Sequence, residues 1–383
     1  MKHSTRWLGT FGALAAVSAL VLTGCSAGGD TPTASDGGAT DLIPVTLQLQ
    51  WSAQAQFAGY YAAVDQGLYE AEGLDVTIVE GGPDIVPQDV LAAGDVDYAI
   101  SWVPKVLGSI EQGANITDVA QIFERSATTQ ISFKDKNITS AADLSGKNVG
   151  SWGYGNEWEL FAGMQKAGVA ISDISLVQQA FDMNAFLSGD IDAAQAMTYN
   201  EYAQVLETVN PATGELYQPD DLNVIDWNAE GTAMLQDGIW ANADKLESDP
   251  DYAATTVKFI KASINGWIYA ANNPEEAAGI VTAAGSALPA GHQLWMTNET
   301  SKLIWPSTNG VGLIDEAAWA NTVDIAMNTQ NETGGTIITA EPPTTAYSNE
   351  YVQQALDELT AEGVDVMGAD WTPIDVTLTE GGE

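Results

Sequence analysis

Aromatic side chains crowd together with amides and carboxylates at the ends of segments that read as β-strands. One such segment ends in Trp51, with Gln54, Gln56, Phe57 and Tyr60 leading into the next element. Others end in Ser101-Trp102, in Trp152-Gly153-Tyr154-Gly155-Asn156-Glu157, in Thr198-Tyr199-Asn200-Glu201 and in Asp226-Trp227-Asn228. Ring faces suit a flat conjugated ligand, each stacked pair contributing about 0.5–1.5 kcal/mol beyond burial. Asn156, Glu157, Asn200 and Glu201 could bond the polar edge of a heterocycle and fix its orientation. Any one of these tryptophans would read first as core. Several strand ends with the same chemistry tip the reading towards a ligand site made of Trp51, Gln56, Phe57, Tyr60, Trp102, Trp152, Tyr154, Asn156, Glu157, Tyr199, Asn200 and Glu201.

Other chemistries find less support. Gly150–Gly155 is glycine-rich at a strand-to-helix turn, but its spacing is not G-x-G-x-x-G. Glu157 would also put a carboxylate where a pyrophosphate must approach the helix. Asp226 to Asp237 echoes a calcium loop, yet its fifth position is Glu230, its twelfth is Asp, and a strand precedes it. Beyond His3, near the start, only His292 is left for metal binding or for a nucleophile–histidine pair, and it reads as a surface or packing residue. Neither a metal site, nor a cofactor, nor a catalytic set is expected. Paired carboxylates stand in no recognisable motif.

The elements that must position these residues alternate. Strands are expected at Val45–Trp51, Leu74–Val79, Val96–Trp102 and Val119–Phe123, with helices at about 57–72, 87–93 and 103–112. A second set runs through strands near 147–152, 175–179, 193–197 and 223–227, with helices near 157–167 and 201–209. Strand–helix alternation implies parallel sheets with ligands beyond the strands' carboxyl ends. After about 232 the pattern is helical: 253–272, 274–284, 292–304, 316–328 and 352–361. Two α/β units and a helical third fit a bilobed fold. One lobe takes 45–130 and the return segment 233–362, the other takes 131–232, and hinges lie near 128–145 and 228–238. Two independent tandem domains are the alternative. An acidic tail, 363–383, is expected to be loosely ordered.

The start of the chain carries an address. Lys2 and Arg6 precede an apolar stretch ending Leu22-Thr23-Gly24-Cys25, a secretory signal over 1–24 closed by a lipobox. Cys25 would take lipid, and the Gly/Ser/Thr-rich residues 25–44 would tether the folded part outside the membrane. Cys25 is the only cysteine, so no disulfide forms within the chain. The roughly 360 residues that follow suffice for two lobes. With 52 acidic residues against 12 basic ones, net charge −40, nucleic acid is an improbable partner. A multiply anionic ligand is disfavoured too, unless a local basic pocket exists, and the lysines are scattered along the chain.

Several stretches resemble one family. Leu49-Gln50-Trp51, Gln56-Phe57-Ala58-Gly59-Tyr60-Tyr61, Gly67–Val76, Gly155-Asn156-Glu157, Met197–Glu201 and Leu303–Ser307 are similar, in order, to solute-binding proteins of the thiamine-pyrimidine-synthase-like family. The resemblance covers about 45–345 and implies a type II periplasmic binding protein fold, with two Rossmann-like lobes, a hinge and a helical C-terminal region. It implies a monomeric receptor feeding an ABC permease and its ATPase with a riboflavin-like or formylaminopyrimidine-like heterocycle. Gly81–Ile85, Ala180–Asn184 and Leu206–Gly214 look nearest to riboflavin binders, while the Gly155 and Tyr199 motifs are shared with pyrimidine binders. An aliphatic sulfonate or nitrate-like ligand is the alternative. The family's fungal synthase carries a cysteine-rich motif absent here, and Asp95 stands where it has a lysine, so enzymatic synthesis is not expected.

Overall fold

Residues 42–383 are described by the structure, a computed structural model. The signal segment, Cys25 and nearly all of the tether lie outside the described residues. Among the described residues ten strands form: β1 (Ile43–Gln48), β2 (Leu74–Val79), β3 (Tyr98–Trp102), β4 (Ile116–Gln121), β5 (Thr128–Phe133), β6 (Asn148–Ser151), β7 (Ser175–Gln178), β8 (Ala194–Met197), β9 (Leu222–Asp226) and β10 (Asp237–Asn242). The first sheet has the order β2-β1-β3-β10-β4. The second lobe carries β8-β5-β9 and the pair β6-β7. Val149 bridges to Ala193, and the Gln130 amide donates to the carbonyls of Gly150 and Ala193, so the pair and the three-stranded sheet adjoin.

Several expectations need correction. Parallel pairing holds in β2-β1-β3 and in β6-β7, but β10 runs antiparallel to β3 and β4, and β5 antiparallel to β8 and β9. β5 occupies the segment read as a hinge, and β10 lies where the pattern was read as helical. Both strands are buried over most of their length, so neither shows the in–out alternation by which half-buried strands are recognised. In β5, Thr129 Oγ1 donates to Ala196 O and Gln130 Nε2 to the carbonyls of Gly150 and Ala193, which lets a polar run lie inside although Gln130 Oε1 has no partner. The helix expected over 57–72 is broken at Gly67, whose φ of 64° suits glycine and ends the helix Ala58–Asp65.

The chain crosses between lobes at 124–127 and 227–236. Glu159 pins both crossings, accepting from Ser126 Oγ at 3.0 Å and from Met234 N at 2.6 Å. Gln236 joins them again, accepting from Ala127 N and donating to Thr128 Oγ1. Each lobe packs a helix glycine against an indole: Gly59 lies under Trp267, and Gly163 under Trp227. A Cβ at either position would collide with the ring.

The C-terminal tail is docked, contrary to the loose order expected. Trp371 packs on Trp305 and donates to Ala271 O, Leu378 adds to the second lobe's apolar cluster, and Gly381 N donates to Glu207 O. The acidic composition hid these apolar anchors. Among the described residues, no helix is long and apolar enough to cross a membrane.

Candidate functional site

β1 and β3 deliver the first lobe's wall at their carboxyl ends, and β10 supplies its floor. Gln50 Nε2 donates to Asp237 Oδ1 at 2.5 Å and Gln56 Nε2 to Oδ2 at 2.7 Å, while Gln54 donates to Gln56 Oε1. Burial pushes the Asp237 carboxyl up to about 7, opposed by donors from Gln56 and Trp102 and by the charge of Lys105. Phe57 and Tyr60 turn into the lobe's core, and Tyr60 meets Trp267 edge-on. Trp102 is buried with Lys105 Nζ 4.8 Å from its ring centre.

The second lobe's wall is a turn. After β6, Trp152 is buried, and Gly153, Tyr154 and Gly155 all take left-handed backbone, with φ of 68°, 54° and 85°. Tyr154 is 88% exposed and points away from any wall in this conformation. Asn156 Nδ2 donates to Gly153 O at 2.7 Å, and Glu157 accepts from Gly155 N at 3.0 Å, so both brace the turn that carries them. Burial raises the Glu157 carboxyl above its ordinary range.

From β8, Tyr199 is buried, and Glu201 accepts from Met197 N and from Asn200 Nδ2, each at 3.0 Å. Burial pushes Glu201 up to about 7. Asn200 Oδ1 lies 3.0 Å from His292 Nε2, and His292 Nδ1 lies 2.9 Å from both Glu207 oxygens. His292 is therefore a buried, bonded link between the helix Ala290–Ile304 and the second lobe. On the same helix, Gln293 accepts from Ala55 N of the first lobe.

The two walls meet. Trp152, Met197 and Tyr199 share one apolar cluster with Leu49, Phe57 and Trp102. Phe181 stands between two tryptophans, 4.6 Å from the ring centre of Trp51 and 6.4 Å from that of Trp152, nearly parallel to the latter at 18°. The void left beside Trp102, Gly155, Asn156 and Gln236 is about 10 Å³, room for one water. A ring-sized ligand needs about 300 Å³ or more, so it fits there only after the lobes part. A larger groove of about 600 Å³ lies at Ile43, Asp97, Tyr98, Asp251 and Lys258, where β1 and β3 begin. It is at the wrong ends of the strands for the expected ligand position.

The structure thus brings Trp51, Gln56, Trp102, Trp152, Asn156, Glu157 and Tyr199 to one interlobe seam, sets Asn200 against His292, leaves Glu201 bonded within its own lobe, sends Phe57 and Tyr60 into core, and leaves Tyr154 outside. Sequence reasoning missed Asp237 and Lys105. Asp237 stood in the segment read as the second hinge, so no strand end flagged it. Lys105 follows Trp102 by three residues, and a lone cation one turn beyond a strand's carboxyl end was the available signal.

Two mixed α/β lobes, joined by paired crossings and facing each other with aromatic strand ends, define a periplasmic binding protein fold. The periplasmic sulfonate-binding protein SsuA of Methylobacillus flagellatus shares it, with a TM-score of 0.58 and 18% identity over 88% of this chain and 99% of that one. The chain belongs to the NMT1/THI5-like family, whose model matches residues 54–277.

Relatives differ in what they are named for. A formylaminopyrimidine-binding protein of Halalkalibacterium halodurans is 26% identical over 253 residues, 66% of this chain and 73% of that protein. The riboflavin-binding protein RibY of Chloroflexus aurantiacus is 25% identical over 272 residues, 67% and 73% of the two chains. A Haemophilus influenzae protein named for thiamine biosynthesis is 28% identical over 151 residues, 39% of this chain, and the match spans only about half of its length, 48%. Other relatives bear the name 4-amino-5-hydroxymethyl-2-methylpyrimidine phosphate synthase.

Proposed function

We propose that this protein is the solute-binding component of an ABC importer, closing its lobes on a flat heterocycle of the riboflavin or aminopyrimidine kind. The observation that carries the reading is the Trp51–Phe181–Trp152 series across the interlobe seam. Phe181 is 46% exposed and holds the place a ring would take. A ligand ring replacing it would exchange one aromatic contact for another at small cost. Gln56, Asn156, Glu157, Asn200 and Glu201 are the groups assigned to its polar edge, with Trp102 and Tyr199 as further ring faces. Cys25 carries the lipid anchor on the outer face of the cytoplasmic membrane, and the receptor works as a monomer.

Tryptophan emission of the purified full chain, followed during addition of riboflavin and of formylaminopyrimidine, tests this. Saturable quenching with a rise in melting temperature is expected for one of them. If neither ligand produces any change, the heterocycle reading is lost. The second reading, a pyrimidine-processing enzyme, draws on the synthase-named relatives and predicts a chemically altered ligand after incubation. Recovery of unaltered ligand removes it. For the anchor, Cys25→Ser is expected to move the protein from the membrane fraction to the soluble fraction; continued sedimentation with membranes would contradict it.

A further inference from the structure

Lys105 is a cation with unused donors at the meeting of the lobes. Its ammonium can donate three hydrogen bonds. Among the described residues it forms neither an ion pair nor a hydrogen bond, whereas Lys136, Lys261 and Lys302 all pair with carboxylates. It is held over the Trp102 ring at 4.8 Å, and its side-chain stem passes against the Gly155 turn of the other lobe. Trp102 and Gly155 also line the residual void. The cation therefore stands in the seam that a ligand must open, flanked by both lobes.

The surrounding charge narrows what it can receive. Asp237 from β10 and Glu157 from the turn both act on Lys105 electrostatically, and burial holds its pKa down at about 8. A full anion docking there would also meet Asp237, Glu157 and the field of a chain of net charge −40. A carbonyl oxygen accepts from the ammonium while bringing no net charge towards those carboxylates. Resting on the solute-binding reading above, we infer that Lys105 receives a carbonyl oxygen of the ligand, so that the site selects an uncharged, carbonyl-bearing heterocycle over both an anion and a carbonyl-free ring.

Four probes and two variants of the full chain test this by calorimetric titration: riboflavin and formylaminopyrimidine, which carry carbonyls, 4-amino-5-hydroxymethyl-2-methylpyrimidine, which has none, and ethanesulfonate. Wild type is expected to bind a carbonyl ligand most tightly and ethanesulfonate least. Lys105→Met should weaken the carbonyl ligand by about tenfold or more, the worth of a charge-assisted hydrogen bond, and leave the carbonyl-free pyrimidine unchanged. Lys105→Arg, which keeps the donors, should retain most of the affinity, and neither variant should lower the melting temperature.

Equal binding of a carbonyl ligand by wild type and Lys105→Met overturns the inference. So does an equal loss for every ligand, which would make Lys105 a lobe-closing contact, and so does a wild-type preference for the sulfonate or the carbonyl-free ring. If wild type binds no heterocycle at all, the solute-binding reading itself falls and takes the inference with it.

Discussion

The two walls of the seam are built differently. In the first lobe, Gln50, Gln56 and Asp237 bond one another, and Phe57 and Tyr60 continue directly into a core closed by Trp267. In the second, Trp152 and Glu157 sit on a turn of three left-handed residues that Asn156 and Glu157 brace from within and that two strand glutamines tie to the lobe: Gln178 donates to Trp152 O, and Gln195 accepts from Trp152 N and donates to Asn156 O. The first wall runs on into its lobe's core, whereas the second is a turn tied to its sheets by two glutamines, with only the Tyr154 tip left exposed. Both walls are thus held by their lobes, and closure of a hinged protein around a ligand would bring them together as preformed surfaces.

Substitutions can break that contrast, the largest effect first. Phe57→Ala empties a fully buried site and should cost about 3–5 kcal/mol of stability in denaturant unfolding. An unchanged unfolding midpoint would mean that the first wall is not core.

The next effect is a pH dependence centred on the first wall's floor. Burial raises the Asp237 carboxyl to about 7, so between its ordinary value and about pH 7 the folded state holds a proton that the unfolded chain has released. That contribution to stability is present at low pH and is lost as pH rises through this window. Glu201 adds the same sign. Asp237→Asn should flatten the fall between about pH 4 and 7 in melting temperature measured against pH, and an unaltered slope would remove Asp237 from the account.

Trp51→Ala, at the half-buried edge of the first wall, should weaken heterocycle binding by about two- to tenfold, the worth of one stacked pair. Titration by quenching of the remaining tryptophans measures it. Unimpaired affinity would shift the ring position away from the Trp51–Phe181 pair.

The smallest effect belongs to the second wall. Tyr154→Gly relieves a non-glycine left-handed residue and should leave stability equal or raised by up to about 1–2 kcal/mol, with affinity unchanged because the ring points outward. Lost affinity would return Tyr154 to the ligand wall after lobe opening.

Much of this was legible in the sequence. β2 and the helix Pro87–Ala93 fall at the expected boundaries, because alternation marks the strand and proline and Gly94 bracket the helix. The strand ends bearing Trp51, Trp102, Trp152 and Tyr199 do converge on one seam. What could not be read depends on long-range structure. β10 returns from the far side of the second lobe to lie between β3 and β4, and only that return brings Asp237 against Gln50 and Gln56. Lys105 likewise acquires meaning only once the Gly155 turn of the other lobe lies beside it. His292 read as a surface or packing residue because nothing in its neighbourhood along the chain announces Glu207 and Asn200.

The most direct test of a receptor that closes on a flat heterocycle is a fluorescence titration of the full chain with riboflavin and with formylaminopyrimidine, followed by dialysis and chemical analysis of the released ligand. The expected result is saturable quenching at one ligand per chain, fully reversed on dialysis, with the ligand recovered unchanged. Absence of quenching by either ligand, or recovery of a converted product, would contradict it.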